Sequence, residues 1–93
     1  MLLDFNLTGE WIINDRNNKT SNATCSRQTD GKIQCATTYP DGEVKVYSYT
    51  VYGLEVEADG SPEARGTYDG HGTIRWLFFG SYFVENWRRT GKT

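Results

Sequence analysis

The chain has 93 residues, ten basic against twelve acidic side chains, and a net charge of −2. This length makes a single domain over residues 1–93, and no segment has the run of about 20 apolar residues that a membrane span needs. The charge balance excludes a nucleic-acid binder that relies on a basic face, and a C-terminal cluster of Arg88, Arg89 and Lys92 is predicted to be solvated surface. We expect a soluble domain with neither a nucleic-acid nor a membrane partner.

The first predicted strand contains Gly9-Glu10-Trp11, within the stretch DFNLTGEW that ends at Trp11. This stretch resembles the first-strand signature of lipocalins and their calycin relatives, and LTGEWIIND is similar to the opening strand of avidins. The resemblance implies a small calycin-like barrel in which Trp11 closes the floor and an arginine of the last strand, Arg88 or Arg89, stacks across it. Such a cation–π contact is worth about 0.5–2 kcal/mol. The biotin-site motifs of avidins are not present beyond the first strand, so biotin binding is not implied.

Three glycosylation sequons lie near the N-terminus, at Asn6-Leu7-Thr8, Asn18-Lys19-Thr20 and Asn22-Ala23-Thr24. The sequon marks a candidate acceptor asparagine on the surface of a secreted protein. Asn6, Asn18 and Asn22 are therefore candidate glycosylation sites. For Asn6, which introduces the first strand, a turn residue is the alternative.

Cys25 and Cys35 flank a predicted three-residue hairpin turn, Thr29-Asp30-Gly31. With its glycine in the left-handed conformation, this turn sets the two cysteines directly opposite each other. We predict a cross-strand disulfide worth about 2–3 kcal/mol, with two half-buried thiols as the alternative. The disulfide indicates an extracellular or periplasmic protein, whereas a native start at Met1, with no signal peptide visible, indicates a cytoplasmic one.

Turn signals recur along the rest of the chain about every ten residues, which is typical of an all-β meander. The predicted strands lie near 7–14, 21–28, 32–39, 43–51, 53–58, 63–68, 73–79 and 82–89. The count falls to seven if Gly53 merely bends one long strand. Closure of these antiparallel strands into an up-and-down barrel would remove both sheet edges, and an open half-barrel or sandwich is the alternative.

The register of the middle strands stays open in the sequence. A Pro40-Asp41-Gly42 loop and an Asp41-Gly42 loop give opposite faces to the tyrosines around them. Those tyrosines form barrel wall if they point inward and a partner-binding surface if they point outward. They are Tyr39, Tyr47, Tyr49 and Tyr52.

A carboxylate, Glu85, stands between aromatic residues in the last strand. A two-residue turn at Gly80-Ser81 pairs Trp76 with Glu85 and puts both on one face. Four-residue turns at 59–62 and 69–72 put Arg65 on the same face, together with the apolar members of the run 54–58. Because the glutamates of that run alternate with its apolar residues, the face that carries Glu85 is predicted to point inward.

The leading functional hypothesis is a calycin-like barrel, not an enzyme, that binds a small and mostly apolar molecule in its lumen. An aromatic cavity with a few placed polar groups is the usual form of a ligand pocket. Arg65 and Glu85 would orient the ligand, and a structural ion pair between them is the alternative. The predicted ligand-binding residues are Trp11, Arg65, Trp76, Phe78, Phe83, Glu85 and Trp87.

Two other hypotheses belong to different functional classes. The barrel is a rigid protein-interaction or inhibitor module, with a protein partner or a homodimer, if Tyr47 and Tyr49 or Phe79 and Tyr82 are exposed together. It is a cofactor-free isomerase or cyclase if Glu85 moves a proton and Arg65 stabilises negative charge. The sequence signals no cofactor and no metal site, since it has one histidine and a predicted cysteine pair.

Overall fold

The computed structural model describes residues 5–15, 17–60 and 64–90. Within these ranges the strands, in chain order, are Gly9–Asn14 (β1), Thr20–Arg27 (β2), Ile33–Thr38 (β3), Val44–Tyr52 (β4), Glu55–Ala58 (β5), Arg65–Tyr68 (β6), Thr73–Phe78 (β7) and Ser81–Arg89 (β8). Positions 61–63, which include part of the predicted turn at 59–62, and Lys92 lie outside the described residues. The described part of the chain forms no helix long and apolar enough to cross a membrane.

The eight strands close into an up-and-down barrel. Each strand pairs antiparallel with the next, and β1 pairs with β8 through Ile12 and Arg88 among others. The predicted fold class is confirmed, with eight strands rather than seven and a closed barrel rather than an open half-barrel or sandwich. Alternating side chains point inward, and the buried ones fill the barrel around Ile33, Val56 and Ile74.

One end of the barrel is closed by a floor that consists of Phe5, Leu7, Trp11 and Arg89. The Trp11 indole is buried and donates its N–H to the Leu7 carbonyl at 2.8 Å. Phe5 packs edge-on against Trp11 and stacks on Tyr68 of β6, with 4.0 Å between the latter pair of ring centroids. The lead-in to the first strand therefore folds back under the barrel as its apolar base.

Arg89, and not Arg88, covers the floor from outside. Its guanidinium carbon lies 4.1 Å from the centre of the Trp11 ring. Its two terminal nitrogens donate to the carbonyls of Thr8 and Asn6, at 2.9 and 2.6 Å. Gly9 has a φ of +116°, and a β-carbon there would lie 2.9 Å from the guanidinium, so only glycine suits this position.

Cys25 and Cys35 form the predicted disulfide across β2 and β3. They are paired in register with their Cα atoms 4.0 Å apart, and both are buried. The predicted turn at Thr29-Asp30-Gly31 sets this register, with Gly31 at a φ of +88°. The disulfide is thus an internal link between neighbouring strands.

The three-residue loop Pro40-Asp41-Gly42 connects β3 to β4. The backbone N–H of Tyr39 donates to the carbonyl of Glu43 at 2.8 Å, which sets the register of the pair. Tyr47 and Tyr49 consequently face inward opposite Cys35 and Ile33, whereas Tyr52 is exposed. This resolves the alternative that the sequence left open.

The predicted turn at Gly80-Ser81 is wrong, because β7 and β8 are joined by Phe79-Gly80. Both residues have left-handed backbones, with φ of +50° and +80°, as a type I′ hairpin turn requires. Trp76 therefore pairs with Phe83, and Glu85 pairs with Ile74. Since the register is displaced by an even number of residues, Glu85 still points inward as predicted.

The predicted inward position of Arg65 is also wrong. Gly66 pairs with Trp76 on one side and with Val56 on the other, so Gly66 points inward and Arg65 outward. The exposed guanidinium of Arg65 lies 4.0 Å from the carboxylate of Glu57, which is also on the outer face. The turns before and after β6 both differ from the prediction by one residue, and each difference reverses the predicted face once. Val56, which is related to β7 through both turns, therefore keeps its predicted inward face, whereas Arg65, which lies between them, does not.

Candidate ligand-binding cavity

A cavity of about 260 Å³ lies inside the barrel, toward the end opposite the floor. Cavities of about 150 Å³ hold a benzene molecule, and most ligand pockets measure roughly 300–1,000 Å³. The size therefore suits a molecule with one or two rings. Its wall is mainly aromatic and includes Tyr39, Tyr47, Tyr49, Trp76, Phe83 and Trp87.

The wall is built by strand alternation. The inward residues that line the cavity are Tyr47 and Tyr49 on β4 and Phe83, Glu85 and Trp87 on β8. Successive residues of a strand point to opposite faces, so each strand contributes every second residue. Strand alternation thus gives the cavity a cluster of rings around one carboxylate.

Glu85 is held in this wall by two indole groups. The Nε1 atoms of Trp76 and Trp87 both donate to Oε1 of Glu85, at 2.7 and 3.0 Å. Burial raises the pKa of Glu85, the two indole hydrogen bonds lower it, and the negative charge of Asp15 raises it further. Burial dominates, so the carboxyl group keeps its proton to a higher pH than an ordinary glutamate.

The cavity tyrosines form a second polar feature of the wall. The hydroxyls of Tyr39 and Tyr47 are hydrogen-bonded, 2.7 Å apart. Burial raises the pKa of both Tyr39 and Tyr49, and for Tyr49 the charge of Glu85 acts in the same direction. Tyr39 and Tyr49 are thus neutral phenols at physiological pH, and each offers a ligand a hydroxyl group.

The structure brings together four of the predicted ligand-binding residues: Trp76, Phe83, Glu85 and Trp87. Trp11 lies below them in the floor, edge-on to Trp87 at 5.7 Å between ring centroids. Phe78 is exposed and packs against Phe79 at 4.4 Å, away from the cavity wall. The roles of all these residues in ligand binding stay predictions.

Arg65 lies outside the cavity, so the predicted pair of Arg65 and Glu85 does not form. In the described part of the chain, Glu85 accepts hydrogen bonds from the two indoles, and Arg65 lies 4.0 Å from the carboxylate of Glu57. Neither the ion pair over Trp76 nor the two-residue catalytic arrangement exists in this fold. The physical reason is the one-residue difference in each turn that flanks β6.

Sequence reasoning did not assign the three tyrosines to the site. A signal for them exists in the loop Pro40-Asp41-Gly42, because the Asp41 carboxylate accepts the backbone N–H of Glu43 at 2.9 Å. An aspartate that bonds the backbone two residues on is a turn-former, and it favours the three-residue loop. That loop turns Tyr47 and Tyr49 inward.

The three sequon asparagines are all exposed. Asn22 points outward from β2, and Asn18 lies in the β1–β2 turn with a φ of +60°. Asn6 accepts a hydrogen bond from the Thr8 hydroxyl at 2.6 Å and also holds Arg89 through its carbonyl. Asn6 therefore has the turn role that was its alternative, and glycosylation at the three sites stays a prediction.

In the part of the chain that the structure describes, no group of three or more histidine, cysteine, aspartate or glutamate residues is placed to hold a metal ion. Comparisons of the chain with protein families, with curated proteins and with solved structures found no match of any of the three kinds. The geometry of the barrel and its cavity is thus the basis for a functional proposal.

Proposed function

We propose that this barrel binds a small, mostly apolar molecule in its lumen, in the manner of a minimal lipocalin-like protein. The observation that carries the proposal is the aromatic cavity of about 260 Å³ above a closed floor. The floor supports the likeness, because Gly9, Trp11 and Arg89 combine as the first-strand resemblance implies. Apolar walls with few polar groups favour ligands by burial of apolar surface.

Calorimetric titration with phenethyl alcohol, a neutral single-ring molecule, tests the proposal. Binding should be saturable and should change the tryptophan fluorescence, since Trp76 and Trp87 line the cavity. Thr37→Phe, at a buried cavity position, should abolish binding by filling the space. Thr38→Phe is the matched control, because Thr38 is its exposed neighbour on β3.

Two outcomes would count against the proposal. The first is the absence of saturable binding by the wild-type protein to any neutral one-ring or two-ring probe. The second is equal binding by Thr37→Phe and wild type, which would place the ligand elsewhere. Near-ultraviolet circular dichroism of both variants confirms that the barrel is intact.

A second candidate function, a protein-interaction module, is favoured by one observation. Phe79 and Tyr82 are 69% and 57% exposed at the β7–β8 turn, next to an exposed Leu77. Exposed aromatic clusters favour protein contacts. Sedimentation velocity should then detect an assembly that Tyr82→Ser weakens and Tyr52→Ser, a control at an exposed tyrosine on β4, does not. This second function would be contradicted if the protein stayed monomeric at all concentrations and captured no partner.

A further inference from the structure

The described wall of the cavity contains an acidic side chain that no basic side chain balances. Among the described residues that line it, Glu85 is the single carboxylate and none is basic. A buried carboxylate without a cation nearby is unfavourable, and here burial accordingly raises its pKa. An incoming positive charge would supply the counter-charge that none of these described lining residues provides.

The two oxygens of the Glu85 carboxylate are used differently. Both indole N–H groups, from Trp76 and Trp87, bond the same oxygen, Oε1. No group in the described part of the chain donates to Oε2. The indoles therefore fix the orientation of the carboxylate while they leave one oxygen for a donor on a ligand, and an ammonium group is a strong donor to a carboxylate.

The aromatic wall favours the same kind of ligand. A cation near the face of an aromatic ring is attracted by the ring quadrupole, most strongly by tryptophan, and the attraction grows when both partners are out of water. The cavity has two tryptophans and three tyrosines within its wall. Rings that surround a single carboxylate form a site for a positive charge with an apolar body.

We propose that the cavity selects a small cationic amine, with its ammonium group on Oε2 of Glu85 and its apolar body among the rings. This inference rests on the proposed function and names the ligand class. At a pH below its raised pKa the Glu85 carboxyl group carries a proton, and that proton leaves to solvent when the ammonium group enters. Among the described residues, the titratable groups that face Glu85 are Tyr39, Tyr47 and Tyr49 in the cavity wall and Asp15 after β1, and the exposed Lys45 has its Nζ 5.7 Å from the centre of the Tyr39 ring.

The test uses three probes of nearly the same shape: phenethylammonium, phenethyl alcohol and phenylacetate. By calorimetry at pH 7, the amine should bind at least about tenfold more tightly than the alcohol, and phenylacetate should bind most weakly. Glu85→Gln should abolish the preference of the cavity for the amine over the alcohol. Glu55→Gln, which removes an exposed carboxylate on β5, should retain the preference for the amine.

A pH series gives a second readout that needs no variant. The affinity for the amine should rise with pH through the raised pKa of Glu85, and the affinity for the alcohol should stay constant. At a pH below the raised pKa of Glu85, amine binding should release protons, which calorimetry in two buffers of different ionisation enthalpy measures. This comparison decides the proposal even if Glu85→Gln does not fold.

Each remaining outcome overturns one of the two proposals or both. If the alcohol binds as tightly as the amine at every pH, selection of amines is overturned and ligand binding in the lumen stands. If none of the probes binds, both proposals fail together. A preference for the amine that survives Glu85→Gln overturns the assignment to Glu85, and tighter binding of phenylacetate overturns the charge argument.

Discussion

The protonation of Glu85 is coupled to folding, because its pKa differs between the folded and the unfolded protein. In the folded barrel burial raises its pKa above 4.5, the ordinary value for glutamate. The folded state thus binds the proton more tightly than the unfolded state over a range of pH. The indole hydrogen bonds from Trp76 and Trp87 reduce this difference without reversing it.

The stability of the protein should therefore respond to pH through Glu85. Its contribution to the free energy of unfolding is fully present below about pH 4.5 and is lost as the pH rises through the raised folded pKa. Relative to Glu85→Gln, the wild type should accordingly lose free energy of unfolding as the pH rises from 4 to 7. Urea unfolding at several pH values measures it.

Glu55→Gln serves as the control for this experiment, because Glu55 is exposed on the outer face of β5. The difference in free energy of unfolding between the wild type and Glu55→Gln should not show this dependence on pH. A wild-type advantage over Glu85→Gln that grows with rising pH would contradict the prediction, because it would mean that the folded state favours the charged carboxylate.

Arg89 covers the floor with a planar guanidinium over Trp11, which the ammonium group of a lysine cannot reproduce. Arg89→Lys removes the planar group over Trp11 and one of its carbonyl contacts, and should lower the free energy of unfolding by about 0.5–2 kcal/mol. Arg88→Lys, at the exposed outward neighbour on β8, should change it little. Chemical denaturation of the two variants side by side checks the prediction, and equal losses would refute a special role for Arg89.

At the level of elements, the β7–β8 turn combines a suitable and an unsuitable residue. Gly80 takes its left-handed backbone without strain, but Phe79 has a φ of +50°. A left-handed backbone costs an ordinary residue roughly 1–2 kcal/mol, and less for asparagine. The exposed phenylalanine thus occupies the position where hairpins of this type prefer asparagine.

Phe79→Asn should stabilise the barrel by about 1 kcal/mol, because Asn-Gly is the preferred sequence of a type I′ turn. Phe79→Ala is the matched control, since it removes the same ring and keeps the unfavourable backbone. The comparison of the thermal midpoints of the two variants isolates the turn preference from the loss of the contact with Phe78. A midpoint for the asparagine variant at or below that of the alanine variant would show the turn assignment to be wrong.

The sequence predicts those strands whose side chains alternate clearly and whose turns have an unambiguous length. In β5, Val56 lies between two glutamates, and its inward position follows directly from that alternation. Cys25 and Cys35 are fixed by the Asp30-Gly31 turn between them. Glu85 is predicted inward even from a wrong turn, because an even displacement of register preserves the face.

β6 could not be predicted in the same way. Its inward residues are Gly66, which has no side chain to mark a face, and Tyr68, the last residue of the strand. A β-carbon at Gly66 would lie 2.8 Å from the ring of Trp76. The register depends on Asp69, whose carboxylate accepts the backbone N–H groups of His71 and Thr73 at 2.7 and 3.0 Å. These bonds shorten the loop by one residue, which is enough to exchange Arg65 for Gly66 in the lumen.

At the scale of the whole molecule, the Cys25–Cys35 disulfide adds stability to a small barrel. A cross-link over this short loop should contribute about 2–3 kcal/mol to the free energy of unfolding. Reduction should lower the urea midpoint by the corresponding amount, and the far-ultraviolet spectrum below the transition should keep its β-sheet form. A Cys25→Ala/Cys35→Ala variant should have the lower midpoint with or without reductant, and a midpoint indifferent to reductant in the wild type would exclude the role.

The pairing of β1 with β8 also determines how the chain can be connected. In the described structure, seven of the eight strand ladders join neighbours along the chain, and the ladder of Ile12 with Arg88 alone spans nearly its whole length. That ladder therefore closes the longest loop, and it raises the contact order above that of the seven hairpin ladders alone. Joining the two termini by a linker and opening the chain at Pro40-Asp41-Gly42 would make β3–β4 the long-range ladder. Because every strand pair is kept, we expect such a circular permutant to fold into the same barrel.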